Sequence, residues 1–246
     1  MKKDWLTVIS DGKDTILDVR SEDENGVLQI FEGETLLLKQ TLNTTHITIP
    51  EGVTKIEDYA FDGDDFDKII TSIKIPSSTQ TIGTGAFNGC TNLKSIIVDS
   101  SNAIYDSRNN CNAIIEAATN TLIKGCQNTV IPDDVKSIGE CAFVGCSPLT
   151  TINLPNGLEE IGVCAFAGTG LTEIVFPPSL KIIDDNAFGE CLGLTNINVP
   201  EGVTYINRDA FRNCRNLALI SLPKSALPFE GYFAECPCKV EIYTER

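Results

Sequence analysis

Histidine, tryptophan and methionine each occur once in the 246 residues. A single histidine excludes any site built on two imidazoles. It also routes every Ser-His-Asp or Cys-His arrangement through His46. Basic residues are the minority, 19 against 34 acidic, for a formal charge of −15. Nucleic-acid affinity rests on Lys and Arg neutralising phosphates, so the chain is not expected to bind nucleic acid or anionic membrane surfaces. No apolar run approaches the ~18 residues of a membrane-spanning helix, and no membrane insertion is expected. The glycines form no phosphate-cradling loop. Met1-Lys2-Lys3 resembles the basic start of a secretion signal, but Asp4, Trp5 and a polar stretch follow instead of an apolar core. A cytoplasmic chain, or one whose leader has been removed, fits this start equally.

A hydrophobic share of 42% with a mean hydropathy of +0.01 describes a globular chain rather than a disordered one. Its organising feature is repetition. Ala-Phe occurs at 60–61, 86–87, 142–143, 165–166, 187–188 and 210–211, and Phe233 holds the same place in a seventh copy. Pro50, Pro76, Pro132, Pro155, Pro177, Pro200 and Pro223 recur in step, the last five at spacings of 23, 22, 23 and 23 residues. One unit reads Leu149, Ile152, Leu154-Pro155, Leu158, Ile161, Ala165-Phe166. Its Leu-x-x-Ile-x-Leu opening is the strand pattern of leucine-rich repeats. Ile152 and Leu154 stand at period 2 and so leave one face of a short strand. Pro155 lacks an N–H and suits the end of a ladder. Ile161 begins the return path, and Ala165-Phe166 is expected to start a helical turn on the outer side. A single unit buries only part of each apolar side chain, and stacked neighbours complete the core.

The pattern breaks once. Pro76 and Pro132 lie 56 residues apart with one Ala-Phe between them. Residues 113–116 and 121–124 read as a β-hairpin with the four-residue loop Ala117–Asn120, replacing the helical turn of one unit. The expected division is an N-terminal β-rich cap over 1–45 and a solenoid of about eight rungs over 46–246. The variant hairpin module occupies 99–128. Within 1–42, alternations at 6–9, 15–19 and 27–31 are expected to be strands, and 239–243 to be the last strand.

The repeating unit, carried in full by Ile73–Ile96, resembles the BspA-like leucine-rich repeats of bacterial surface proteins, as does the variant stretch Tyr105–Glu116. The resemblance spans 46–243. It implies a right-handed curved solenoid with one parallel sheet on the concave side and short strands, turns and helical turns on the convex side. It implies adhesion or other protein binding at the cell surface or in secretion, and no catalytic residues. The expected partners are a protein of a host or extracellular matrix, or a glycan. No cofactor, no metal and a monomer are expected, and the alternative function is a structural spacer within a larger surface protein.

Cys90, Cys146, Cys191 and Cys214 each follow the repeat phenylalanine by three residues, and Cys236 follows Phe233 likewise. Such phasing reads as a ladder of free, buried thiols. Cys141 and Cys164 directly precede Ala-Phe. Cys111 and Cys126 flank the hairpin, and their pairing is left open. Asp62–Asp67 resembles half a calcium loop but lacks its downstream glutamate, and reads as a solvated insertion. With Ile152 and Leu154 inward, the strand phase turns Ser72, Lys74, Ser95, Ile97, Thr151, Asn153, Glu173, Val175, Asn196 and Asn198 outward. These form the expected contact face. Tyr105 and Arg108 in the variant module are the alternative one.

Overall fold

The computed structural model describes residues 6–10, 15–19, 27–32, 35–41, 46–49, 51–61, 70–225 and 238–243. The phenylalanine-bearing turn organises the solenoid. Phe143 stacks on Phe166 at 5.0 Å between ring centroids, Phe166 on Phe188 at 5.3 Å, and Phe188 on Phe211 at 5.4 Å. Phe61 and Phe87 form a separate stack at 5.2 Å. The neighbouring alanines are fully enclosed. Each turn bonds to the next: the N–H groups of Phe143, Phe166 and Phe188 donate to the carbonyls of Ala165, Ala187 and Ala210 at 2.7–2.8 Å. Phe143, Phe166, Phe188 and Phe211 therefore form one common column of rings.

The helical turn expected at Ala165-Phe166 is instead a pair of tight turns, and no α-helix occurs among the described residues. Cys141, Cys164 and Asn186, just before Ala-Phe, have φ of 56°, 52° and 49°. Gly145, Gly168 and Glu190, just after it, have φ of 69°, 68° and 59°. A left-handed residue at each end confines the segment to three-residue hydrogen bonds such as Ala142 N–H to Gly139 and Cys146 N–H to Phe143.

Nineteen strands among the described residues carry the rest. The N-terminal ones are β1 (Leu6–Ser10), β2 (Thr15–Val19), β3 (Val27–Glu32) and β4 (Thr35–Thr41). Then come β5 (His46–Thr48), β6 (Lys55–Ile56), β7 (Ser72–Ile75), β8 (Thr81–Ile82) and β9 (Ser95–Val98). The variant module holds β10 (Tyr105–Asp106), β11 (Ile114–Glu116) and β12 (Thr121–Lys124). The regular rungs hold β13 (Ser137–Ile138), β14 (Glu160–Ile161), β15 (Ile182–Ile183), β16 (Asn196–Asn198), β17 (Tyr205–Ile206), β18 (Leu219–Pro223) and β19 (Lys239–Tyr243). Of the N-terminal strands, β4 was not legible from alternation. β2 pairs in parallel with β6 and so joins the repeat ladder.

Two ladders run along the solenoid, the expected short strands pairing into one separate from the strands that end at the repeat prolines. The strands that end at the repeat prolines make the first, but only in two pieces, β5-β7-β9 and β16-β18-β19. The two-residue strands of the return path make the second, in which β12 to β15 and β17 pair in parallel without interruption. Their second residues, Ile138, Ile161, Ile183 and Ile206, are fully buried. The hairpin is confirmed: β11 and β12 pair antiparallel with Glu116 opposite Thr121, which leaves residues 117–120 as its loop.

The hairpin also divides the core. One cluster of buried residues runs from Ile47 to Cys126 and the other from Cys111 to Leu222. The Phe87–Phe143 junction contains no repeat phenylalanine. There the N–H of Gly125 donates to Ala142 at 2.9 Å, the bond that phenylalanine makes elsewhere. Gly125 thus takes a phenylalanine slot and Lys124 an alanine slot. A Cβ at Gly125 would come within 2.1 Å of the Phe143 ring, which fills the vacated space.

The phased thiols behave as a ladder. Cys90, Cys146, Cys191 and Cys214 are buried and not disulfide-bonded, and Cys111 and Cys126 are not disulfide-bonded either. Sγ of Cys191 donates to the Phe166 carbonyl at 3.1 Å and Sγ of Cys214 to that of Phe188 at 2.9 Å. Cys141 and Cys164 are only half-buried, because their left-handed backbone carries them toward the surface of the turn.

Burial pushes the Cys146 thiol from its ordinary 9.0 up to about 11, against an opposing pull from Lys124. The unfolded chain therefore ionises first. The resulting stability is whole below pH 9 and is lost as pH rises toward 11. The urea midpoint should fall between pH 9 and 11. Cys146→Ser should remove on the order of 2 kcal/mol of that fall. Identical slopes for the two proteins would refute the assignment.

Candidate interaction surface

The strand phase read from the sequence holds where the first ladder is formed. Ile73 and Ile75 are buried with Lys74 exposed between them, and Ile197 is buried between exposed Asn196 and Asn198. Ile96 and Val98 face the core and Ile97 is 51% exposed. Thr151, Asn153, Glu173 and Val175 are exposed, whereas Ser72 and Ser95 are half-buried. The outward position before each inward residue, followed by proline in every case but Ile97, therefore forms one column: Lys74, Ile97, Val130, Asn153, Val175 and Asn198. Val130, at 73% exposure, was missed in the sequence, although its place directly before Ile131-Pro132 identifies it.

The first ladder opens at the centre of this column. Thr172 N–H donates to Thr150 at 3.2 Å, and beyond it no backbone hydrogen bond among the described residues joins 151–154 to 173–176. A cleft of about 300 Å³ lies here, lined by Thr151, Asn153, Glu173 and Val175 with Leu154 and Phe176 beneath. Phe176 takes the inward slot that Ile75, Val98, Val199 and Leu222 occupy elsewhere, and its ring stands edge-on to Phe188 at 5.6 Å. No backbone hydrogen bond among the described residues joins 129–131 to 151–154 or 173–176 to 196–198 either, so the first ladder is open from β9 to β16. Val175, on its outer side, is 81% exposed.

The alternative contact site is different from its expectation. Tyr105 is 6% exposed, and its hydroxyl accepts the N–H of Ile82 at 3.1 Å. It is a core residue of β10 and offers no side chain to a partner. Arg108 is half-buried, and its guanidinium is held by Asp106 at 2.8 Å, Asp134 at 2.5 Å and Asn120 at 2.9 Å. Its donors bind the module together.

His46 is exposed on β5, and its Nδ1 lies 2.5 Å from Oγ of Ser72 on the adjacent strand β7. The two residues are 26 positions apart and meet through the His46–Ser72 register. That pairing follows from rung stacking and is invisible to local spacing. Among the described residues no cluster of three or more His, Cys, Asp or Glu side chains is suited to a metal ion. No helix there is long and apolar enough to cross a membrane. Asp62–Asp67, Phe233 and Cys236 lie outside the described residues.

Stacked parallel rungs of 22–23 residues with an inward aromatic column define a leucine-rich-repeat solenoid of about eight turns. The sequence matches the BspA type leucine rich repeat region in six copies, over residues 37–124 and 119–238. The chain belongs to that family. A leucine rich cell surface protein of Faecalibacterium prausnitzii is similar in structure, with 27% identity and a TM-score of 0.65 over 82% of this chain and 60% of its own. A leucine-rich repeat protein of Eubacterium ventriosum (23% identity, TM-score 0.64) shares the fold over 81% of this chain and 54% of its own. The pneumococcal vaccine antigen PcpA (21%, 0.62) does so over 82% and 57%. The chain thus spans little more than half the length of these structures. No curated protein matches it in sequence.

Proposed function

We propose that the chain is a non-catalytic binding scaffold that engages a protein partner through the outward face of its first ladder, in the setting of a bacterial cell surface. The observation that carries this reading is the opened pair of segments at 151–154 and 173–176. Unpaired N–H and C=O groups on an extended segment are a template for an added strand, and such addition supplies affinity through main-chain bonds. The cleft beside them offers apolar walls from Leu154 and Phe176. Val175, Val130 and Ile97 add an apolar strip, interrupted by Asn153, to an otherwise polar face. Lys74, Ser72, Ser95, Asn196 and Asn198 border the strip as a polar rim. The surface setting is supported by family membership and by the cell surface protein of Faecalibacterium prausnitzii.

The test is selection of extended peptides from a displayed random library, followed by hydrogen exchange on the complex. Binders of micromolar affinity that protect the amides of 152–154 and 173–176 are expected, and Val175→Glu should weaken them about tenfold or more. Failure to enrich any binder, or protection elsewhere, would leave the chain a spacer.

A further inference from the structure

The rung interrupted by the hairpin contains a cationic residue in a position where the other rungs carry alanine. Lys124 occupies that slot and is 5% exposed. The surrounding ionisable groups are the thiols of Cys90, Cys126, Cys141 and Cys146, and among the described residues Lys124 makes no ion pair.

Lys124 also lines a cavity of about 120 Å³ at the break between the β8 and β12 parts of the second ladder. Gly83, Gly85 and Gly139 are part of its wall, and Asn88, Glu140 and Cys141 contribute polar groups. Oδ1 of Asn88 is buried without a hydrogen-bond partner. Such a space admits a molecule of several heavy atoms. Its wall includes a carboxylate, and the chain carries a charge of −15, so an anion is a poor match for it.

We propose that Lys124 is a nucleophilic amine that captures small neutral carbonyl compounds, aldehydes above all, as an imine in this cavity. Burial lowers the pKa of the ammonium, the thiols opposing that shift only in part. A desolvated lysine presents its lone pair at a pH where surface lysines are protonated. Nζ adds to the carbonyl carbon, the proton passes from nitrogen to the former carbonyl oxygen, and the carbinolamine loses water to give the imine. No oxidant or further reactant is required. Asn88, which lines the same cavity and whose Oδ1 has no hydrogen-bond partner, supplies an acceptor for the carbinolamine.

The experiment uses the full chain, propanal at limiting concentration and cyanoborohydride to trap the imine, with peptide mass mapping. At pH 7, Lys124 is expected to be alkylated at least tenfold faster than the exposed Lys74, Lys94, Lys136 and Lys181. Its rate should level off at a lower pH than theirs. In urea the preference should vanish. Lys124→Ala restores the residue of the other rungs and should fold while losing the fast site. Labelling of Lys124 no faster than the exposed lysines, or no labelling of it in the folded chain, would overturn the proposal. A cavity that holds only water predicts that second result.

Discussion

Phe166→Ala is expected to cost about 3–5 kcal/mol, read as a fall in the urea midpoint at unchanged slope. Phe166 is fully buried at the centre of the longer aromatic column and touches a ring on each side, Phe143 at 5.0 Å and Phe188 at 5.3 Å. Truncation removes the transfer free energy of the ring and leaves a cavity. Backbone bonds to Ala187 on one side and the Ala165 bond from Phe143 on the other hold the rungs at their spacing, so collapse into the void is limited. Stacking adds about 0.5–1.5 kcal/mol per ring pair beyond burial. A change below about 1 kcal/mol would mean that the column contributes little to the fold.

Gly170→Ala should be the second large effect, and it acts through space rather than through backbone conformation. A Cβ at Gly170 would lie 2.2 Å from the carbonyl oxygen of Ser147 in the preceding rung. The atom it meets belongs to the backbone and cannot rotate away. Accommodating the methyl requires the two rungs to separate, at a cost of about 1–3 kcal/mol or more. The contrast is Gly52→Ala. Its Cβ would meet nothing within 4 Å, and only its φ of 100° opposes the substitution. If Gly170→Ala has a denaturation curve equal to that of the parent, the rung spacing is not rigid at this point.

Much of this architecture was legible because its signals are local and repeated. Ala-Phe in six copies, proline in phase and cysteine three residues after phenylalanine each mark a slot that recurs at a fixed chain distance. The same periodicity assigns the inward face of every first-ladder strand. The helical turn was misread because Ala-Phe with flanking polar residues is compatible with a helix. The left-handed φ at Cys141, Cys164 and Asn186 that prevents one is unusual for non-glycine residues and is imposed by the stack. Tyr105 was misplaced for a related reason: a polar, turn-rich neighbourhood suggested surface. Its ring instead completes the smaller core, and its hydroxyl satisfies a backbone N–H from residue 82.

The sequence alone determined that this chain stacks like upon like, which residues turn inward, and where the series is interrupted. Those properties depend on side-chain identity and spacing along one unit. Tertiary structure decided what happens between units: the second ladder, the opening at 151–154 and 173–176, the meeting of His46 with Ser72, and the enclosure of Lys124. Each depends on the fit of two rungs that are 22 or more residues apart, and a single vacated slot such as Gly125 is enough to change that fit.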